Sequence, residues 1–105
     1  MKRQLAILGS TGSIGTQALE VVDEHSDLFE VYALTAHNSV DRLIDQARRF
    51  MPEVVVIANE RKYAELKEAL EDLPIKVWAG AEAISQVVKS EPIDMVLTAM
   101  VGYAG

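Results

Sequence analysis

Short runs of consecutive apolar residues alternate along this chain with stretches in which apolar residues recur every three or four positions. The first run, Leu5-Ala6-Ile7-Leu8, predicts a buried strand and leads directly into Gly9-Ser10-Thr11-Gly12-Ser13-Ile14-Gly15. After the glycines, Ile14, Ala18, Val21 and Val22 fall at i, i+4, i+7 and i+8, the spacing of one helix face. Residues 29–35 read as a second strand. Val40, Leu43, Ile44, Ala47 and Phe50 then keep helical spacing behind Asn38 or Ser39, either of which is a suitable N-cap, and Pro52 stops that helix.

Val54-Val55-Val56-Ile57 is a run of four β-formers that predicts a strand buried on both faces. Asn59 is placed to cap a third helix with an apolar stripe of Tyr63, Leu66 and Leu70. Its charged residues, among them Glu60, Arg61, Lys62, Glu65, Lys67 and Glu68, read as a solvated face. Ile75-Lys76-Val77-Trp78 predicts a short strand, Ala81, Ile84, Val87 and Val88 mark a fourth helix, and residues 93–98 a last strand. No internal repeat, linker or low-complexity tract interrupts the series. Strands that alternate with helices need crossover connections, which yields a parallel sheet with helices on its faces. The expected fold is therefore α/β: a Rossmann-like, doubly wound parallel sheet in three α/β/α layers.

The 105 residues fit one domain. The chain stops just after its last apolar run, at Met100-Val101-Gly102-Tyr103-Ala104-Gly105, and a fragment of a longer protein is expected. Ten Lys plus Arg against sixteen Asp plus Glu leave a net charge of −6, without the broad positive field that collects nucleic acid. With no cysteine, disulfides, Cys-ligated metals and thiol nucleophiles are all excluded. The apolar run after the basic start is too short for a signal peptide, and no run approaches the roughly 18 residues of a membrane span. No membrane partner and a cytoplasmic setting are expected.

The candidate chemistry is concentrated in the glycine segment. Between a strand and a helix, Gly9-x-x-Gly12-x-x-Gly15 has the spacing of a dinucleotide loop. Gly9 permits the tight turn, Gly12 leaves room for a pyrophosphate against the backbone, and Gly15 lets the helix pack close to the sheet. The helix N-terminus favours a phosphate, and the hydroxyls of Ser10, Thr11 and Ser13 add neutral donors. The alternative is a tight strand-to-helix turn without a ligand.

The end of the second strand bears on which dinucleotide is bound. An NAD site usually has an acid about 20 residues after the loop, bonded to the ribose 2′-hydroxyl. Here the stretch is Thr35-Ala36-His37-Asn38-Ser39, with Arg42 one turn into the next helix, so donors stand where a carboxylate would repel a 2′-phosphate. This favours NADPH over NADH. At the end of the last strand, Ala99 and Met100 are small or apolar and suited to line a flat ring. With two histidines and no cysteine there is no catalytic triad, and no carboxylate pair stands apart from the solvated faces. Asp94 lies near the start of the last strand, away from the ligand-bearing carboxyl edge, and reads as structural. No catalytic or metal-ligating residue is identified.

These segments resemble a known family. The loop at residues 9–15, with Ala33-Leu34-Thr35-Ala36 and Ala99-Met100-Val101-Gly102-Tyr103-Ala104-Gly105, is similar to the N-terminal region of 1-deoxy-D-xylulose 5-phosphate reductoisomerases. The resemblance covers essentially the whole chain, which would be the first quarter of such an enzyme: an N-terminal NADPH-binding domain, with catalytic and C-terminal domains beyond residue 105. It implies an NADPH-dependent enzyme of non-mevalonate isoprenoid biosynthesis. Such an enzyme rearranges and reduces 1-deoxy-D-xylulose 5-phosphate to 2-C-methyl-D-erythritol 4-phosphate with Mn2+ or Mg2+, as a homodimer.

By the same resemblance, residues matching Thr11, Gly12, Ser13 and Ile14 touch the cofactor, and those matching His37, Asn38 and Ser39 surround its 2′-phosphate. Many members carry Gly-Lys-Asn there, and this sequence lacks that lysine. The rival enzyme readings are an aspartate-semialdehyde dehydrogenase, which usually shows Gly-Ala-Thr-Gly in the loop, and an extended short-chain dehydrogenase, which usually keeps an acidic or basic residue after the second strand. A nucleotide-sensing module without chemistry is the rival from another class.

Overall fold

The structure, a computed structural model, describes residues 3–98. Five strands, β1 (Arg3–Leu8), β2 (Phe29–Ala36), β3 (Val54–Ile57), β4 (Lys76–Ala79) and β5 (Met95–Thr98), form one sheet in the order β4-β3-β2-β1-β5. Every pairing is parallel. Four helices connect them: α1 (Ser13–Glu24), α2 (Val40–Phe50), α3 (Tyr63–Ala69) and α4 (Ala81–Val88). The α/β expectation holds, and the bounds of β3 match the apolar run residue for residue.

Alternation along the strands divides the core. Leu5 and Ile7, with Leu34, Val55 and Ile57, face Leu19 and Val22 of α1, Leu43 and Ala47 of α2, and Leu66 of α3. Ala6, Ala33, Val54 and Val56 point the other way, onto Val87, Ala83 and Ile84 of α4. Thus α1, α2 and α3 cover one face and α4 the other.

The strand order positions the site. The chain builds outward from β1 to β4, then crosses by α4 to place β5 on the opposite side of β1. The order therefore reverses beside β1, and in open α/β sheets ligands bind outside the carboxyl ends of the strands at such a switch point. The glycine segment follows directly from β1 at that edge.

Three local expectations are corrected. First, α1 buries Gly15, Leu19 and Val22, whereas Ile14 and Val21 are 53% and 52% exposed. The cause is Gly15: a Cβ there would lie 2.6 Å from Ser10 Cα and closer still to the Gly9 carbonyl oxygen. The helix touches its own loop along that line, and positions i+4 and i+7 from Gly15 must then face the sheet. It is this loop backbone, not the sheet, that requires glycine at 15.

Second, neither Asn38 nor Ser39 caps α2 with its side chain. The Asn38 amide oxygen instead accepts a hydrogen bond from Asn59 Nδ2 at 2.7 Å. The helix ends as expected before Pro52, with Met51 in the left-handed region at φ 48°. Third, Asn59 caps a short 3-10 turn, Glu60–Lys62, which then leads into α3; its Oδ1 accepts from the Arg61 N–H at 3.0 Å. Asp94 has the structural role foreseen: its carboxylate accepts from the Gln4 N–H at 2.8 Å and its own N–H donates to the Gln4 carbonyl at 2.8 Å.

Candidate dinucleotide site

Gly9 leaves β1 at φ 79°, a conformation that costs glycine little and most residues more. The loop is then fastened to the end of β2. The N–H groups of Gly9 and Ser10 both donate to the Thr35 carbonyl, at 3.1 and 2.9 Å, and Gly9 N–H also reaches the Thr35 hydroxyl. A second anchor comes from α2. The Ser10 hydroxyl donates to Gln46 Oε1 at 2.7 Å, and Gln46 Nε2 returns a bond to the Ser10 carbonyl at 2.8 Å. Arg42 Nη1 donates to the Thr11 carbonyl at 3.3 Å.

This corrects the expectation for Ser10. Its side chain is fully buried and its hydroxyl is turned toward Gln46 rather than toward a ligand. Thr11 is buried as well, while Gly12, Ser13 and Ile14 are exposed at the mouth of the loop. Gln46 was not among the candidate residues, and Thr35 was grouped with the stretch after the second strand rather than with the loop it anchors. Gln46 had one signal in the sequence: a polar residue beside the inward stripe of Val40, Leu43 and Ala47.

Gly12 is the N-cap of α1, and no side chain caps the helix there. The first N–H groups of an α-helix have no partner within it, so those of Ser13, Ile14 and Gly15 remain available with the positive end of the helix dipole. No acidic residue occupies the first turn to compete for that charge. Gly12 differs from Gly15 in what surrounds it. A Cβ on Gly12 would meet only the Gly9 carbonyl oxygen, at an ordinary 3.6 Å, and its φ of −77° is open to any residue. Among the described residues nothing in the protein's own packing requires glycine at 12, and the space over it is open to a group approaching the backbone. The exposed Ile14 side chain supplies an apolar surface beside that approach.

The second part of the site lies across β2. Ala36 is buried at the strand end, and His37, Asn38 and Ser39 are exposed just beyond it. Asn38, Ser39 and Arg42 line a cavity of about 290 Å³ whose other wall is Lys62 and Glu65. Since Asn38 Oδ1 is occupied by Asn59, its Nδ2 donors are the ones left for a ligand. Ala99 and Met100 lie outside the described residues. A larger hollow of about 800 Å³ sits between α3 and β4, lined by Tyr63, Leu70, Val77 and Trp78. It belongs to the far edge of the sheet, three strands from β1, and shares no residue with the glycine loop. The larger hollow has side-chain donors of its own, Lys67 and Lys76, but lies away from the switch point at which the glycine loop sits.

Among the described residues, no three His, Cys, Asp or Glu side chains come together where a metal ion could be held. No helix among them is long and apolar enough to cross a membrane.

Comparisons with known proteins agree with this geometry. A family model described as 1-deoxy-D-xylulose 5-phosphate reductoisomerase matches residues 5–105. The enzyme of that name from Phocaeicola vulgatus is 73% identical over 105 residues, covering 100% of this chain and 28% of its own length. The solved reductoisomerase from Zymomonas mobilis in complex with NADPH superposes with a TM-score of 0.92 at 35% identity, over 97% of this chain and 27% of that one. A second, solved with NADPH, fosmidomycin and magnesium, gives 0.90 at 33% identity, over 95% and 25%. The chain thus spans about a quarter of the length of the curated relatives it matches. Neither the aspartate-semialdehyde dehydrogenase nor the short-chain dehydrogenase reading has support beside this match over nearly every residue. The chain belongs to the 1-deoxy-D-xylulose 5-phosphate reductoisomerase family.

Proposed function

We propose that residues 1–105 form the N-terminal NADPH-binding domain of an enzyme that rearranges and reduces 1-deoxy-D-xylulose 5-phosphate to 2-C-methyl-D-erythritol 4-phosphate. The observation that carries this is the space over Gly12, open to any side chain as far as the protein is concerned, at the uncapped start of a helix beside the switch point. Relatives solved with NADPH share the fold of this chain.

In this proposal the N–H groups of Ser13 and Ile14 hold the pyrophosphate. Thr35, Gln46 and Arg42 keep the loop in place, so that little reorganisation is needed when the anion arrives. Ile14 lies against the cofactor, and Ala36, His37, Asn38 and Ser39 surround the adenosine 2′-phosphate. Ala99 and Met100 are assigned to the wall of the nicotinamide site. What the cofactor supplies when bound is a hydride; these residues bind and orient it. The described residues do not fit the divalent metal of the family, so its ligands, and those of the sugar phosphate, are assigned outside them. The proposal includes a cytoplasmic, homodimeric enzyme.

Asn38→Asp tests the cofactor choice. The carboxylate still accepts from Asn59, but it removes the Nδ2 donors and sets a negative charge beside a phosphate dianion. Like charges brought together in a site cost several kcal/mol, so NADPH should bind about 100-fold more weakly. NADH should change less than about three-fold. Titrations with both cofactors measure this, and equal losses would remove residues 37–39 from the 2′-phosphate site.

A further inference from the structure

The charged segment after β3 contains one residue that does not behave as part of a solvated face. Lys62 is half-buried, whereas its neighbour Arg61 is exposed. It forms one wall of the 290 Å³ cavity opposite Asn38, Ser39 and Arg42. Its place there follows from the sheet. Ala36 of β2 pairs with Ile57 of β3, so the segments that follow both strands leave the carboxyl edge side by side.

Asn59 joins the two segments. Its N–H donates to the His37 carbonyl at 3.0 Å, its Nδ2 to Asn38 Oδ1 at 2.7 Å, and its Oδ1 starts the turn by accepting from Arg61 N–H. The Lys62 N–H closes the same turn on the Asn59 carbonyl at 3.0 Å. One asparagine therefore sets both the amide of Asn38 and the start of the Lys62 side chain.

Charge in this cavity is balanced in number but not in pairing. Arg42 and Lys62 face Asp41 and Glu65. The ion pairs among the described residues are Arg48–Asp72 and Arg49–Asp23, so neither Arg42 nor Lys62 is within 4.0 Å of a carboxylate. Arg42 is turned toward the glycine loop through its bond to Thr11. Lys62 is the cation left free, with three donors on a flexible four-carbon stem. We infer that Lys62 is a specificity-determining residue that places its ammonium group on the cofactor's 2′-phosphate, across the cavity from Asn38, with Glu65 competing for the same ammonium. This rests on the proposed NADPH site and adds to it a cation from a different strand connection.

The test compares Lys62→Gln, Lys62→Arg and Glu65→Gln in the full-length protein, by direct titration with NADPH and with NADH. Losing one charge-assisted bond to phosphate should weaken NADPH on the order of ten-fold in Lys62→Gln, with NADH within about two-fold. Lys62→Arg should restore most of the NADPH affinity. Glu65→Gln should tighten NADPH about two-fold and leave NADH alone, a gain that should disappear when Lys62 is also replaced by Gln. Failure of the unaltered protein to bind either cofactor would refute the proposed site itself. NADPH binding that ignores Lys62→Gln, or equal losses of both cofactors, would overturn the role of Lys62 and leave the site standing. Should Lys62→Gln fail to fold, no gain in NADPH affinity in Glu65→Gln overturns it equally.

Discussion

Gly12→Val is expected to abolish measurable NADPH binding in a protein that remains folded. The new Cβ would sit 3.6 Å from the Gly9 carbonyl oxygen, in ordinary contact, and φ −77° with ψ 174° is the extended region that valine favours. The fold should lose little, and the far-ultraviolet circular dichroism spectrum and melting curve should stay close to those of the unaltered protein. The branched side chain would, however, occupy the approach to the N–H groups of Ser13 and Ile14. Two charge-assisted bonds lost there, at about 1.5 kcal/mol each, correspond to an affinity loss of more than about 100-fold. Gly15→Ala, three residues on, should do the reverse. Its methyl group collides with backbone rather than with a side chain that can turn aside, so about 3 kcal/mol of stability is lost in urea unfolding. A Gly12→Val protein that folds and binds NADPH normally would mean that the loop is only a turn.

The second large effect concerns catalysis. A polypeptide of residues 1–105 should show no oxidation of NADPH above background with 1-deoxy-D-xylulose 5-phosphate and Mg2+ or Mn2+, at any metal concentration. The described residues bring no metal-ligating group together, and the chain spans about a quarter of the length of the curated relatives it matches. Closure of a substrate-bearing region over a nicotinamide expels water and completes such a site, and residues 1–105 are assigned only the cofactor half. The same polypeptide should bind NADPH more weakly than the full-length protein for the same reason. Following absorbance of the reduced cofactor in parallel for both proteins measures this. Metal-dependent turnover by residues 1–105 would show that the division of labour proposed here is wrong.

Much of the fold was legible because the apolar pattern is strong. Val54-Val55-Val56-Ile57 is buried at every position, which is why its bounds could be read directly. The glycine spacing likewise located the loop at the carboxyl edge of β1. What escaped the pattern depends on contacts between distant segments. The apolar stripe of α1 looked like Ile14, Ala18, Val21 and Val22; Val22 is buried and Ala18 packs against the core, but Gly15 against Ser10 turns the helix so that Ile14 and Val21 are left exposed. Asn38 and Ser39 have the chemistry of helix caps, yet Asn59, 21 residues later, takes the Asn38 side chain instead. The Ser10 hydroxyl, which looked like a phosphate donor, is held by Gln46 from 36 residues away. Local sequence shows which groups are able to bond; only the sheet order decides which of them meet.

A titration of the isotope-labelled chain with NADPH, followed by the amide resonances of each residue, tests whether the glycine loop is the dinucleotide site. Saturable shifts should concentrate at Gly12, Ser13 and Ile14, with a second group at His37, Asn38 and Ser39. The second group should shrink when NADH replaces NADPH, while the first persists. Shifts confined to Tyr63, Val77 and Trp78 around the larger hollow, or no saturable shift at residues 12–14, would contradict the assignment of the glycine loop as the dinucleotide site.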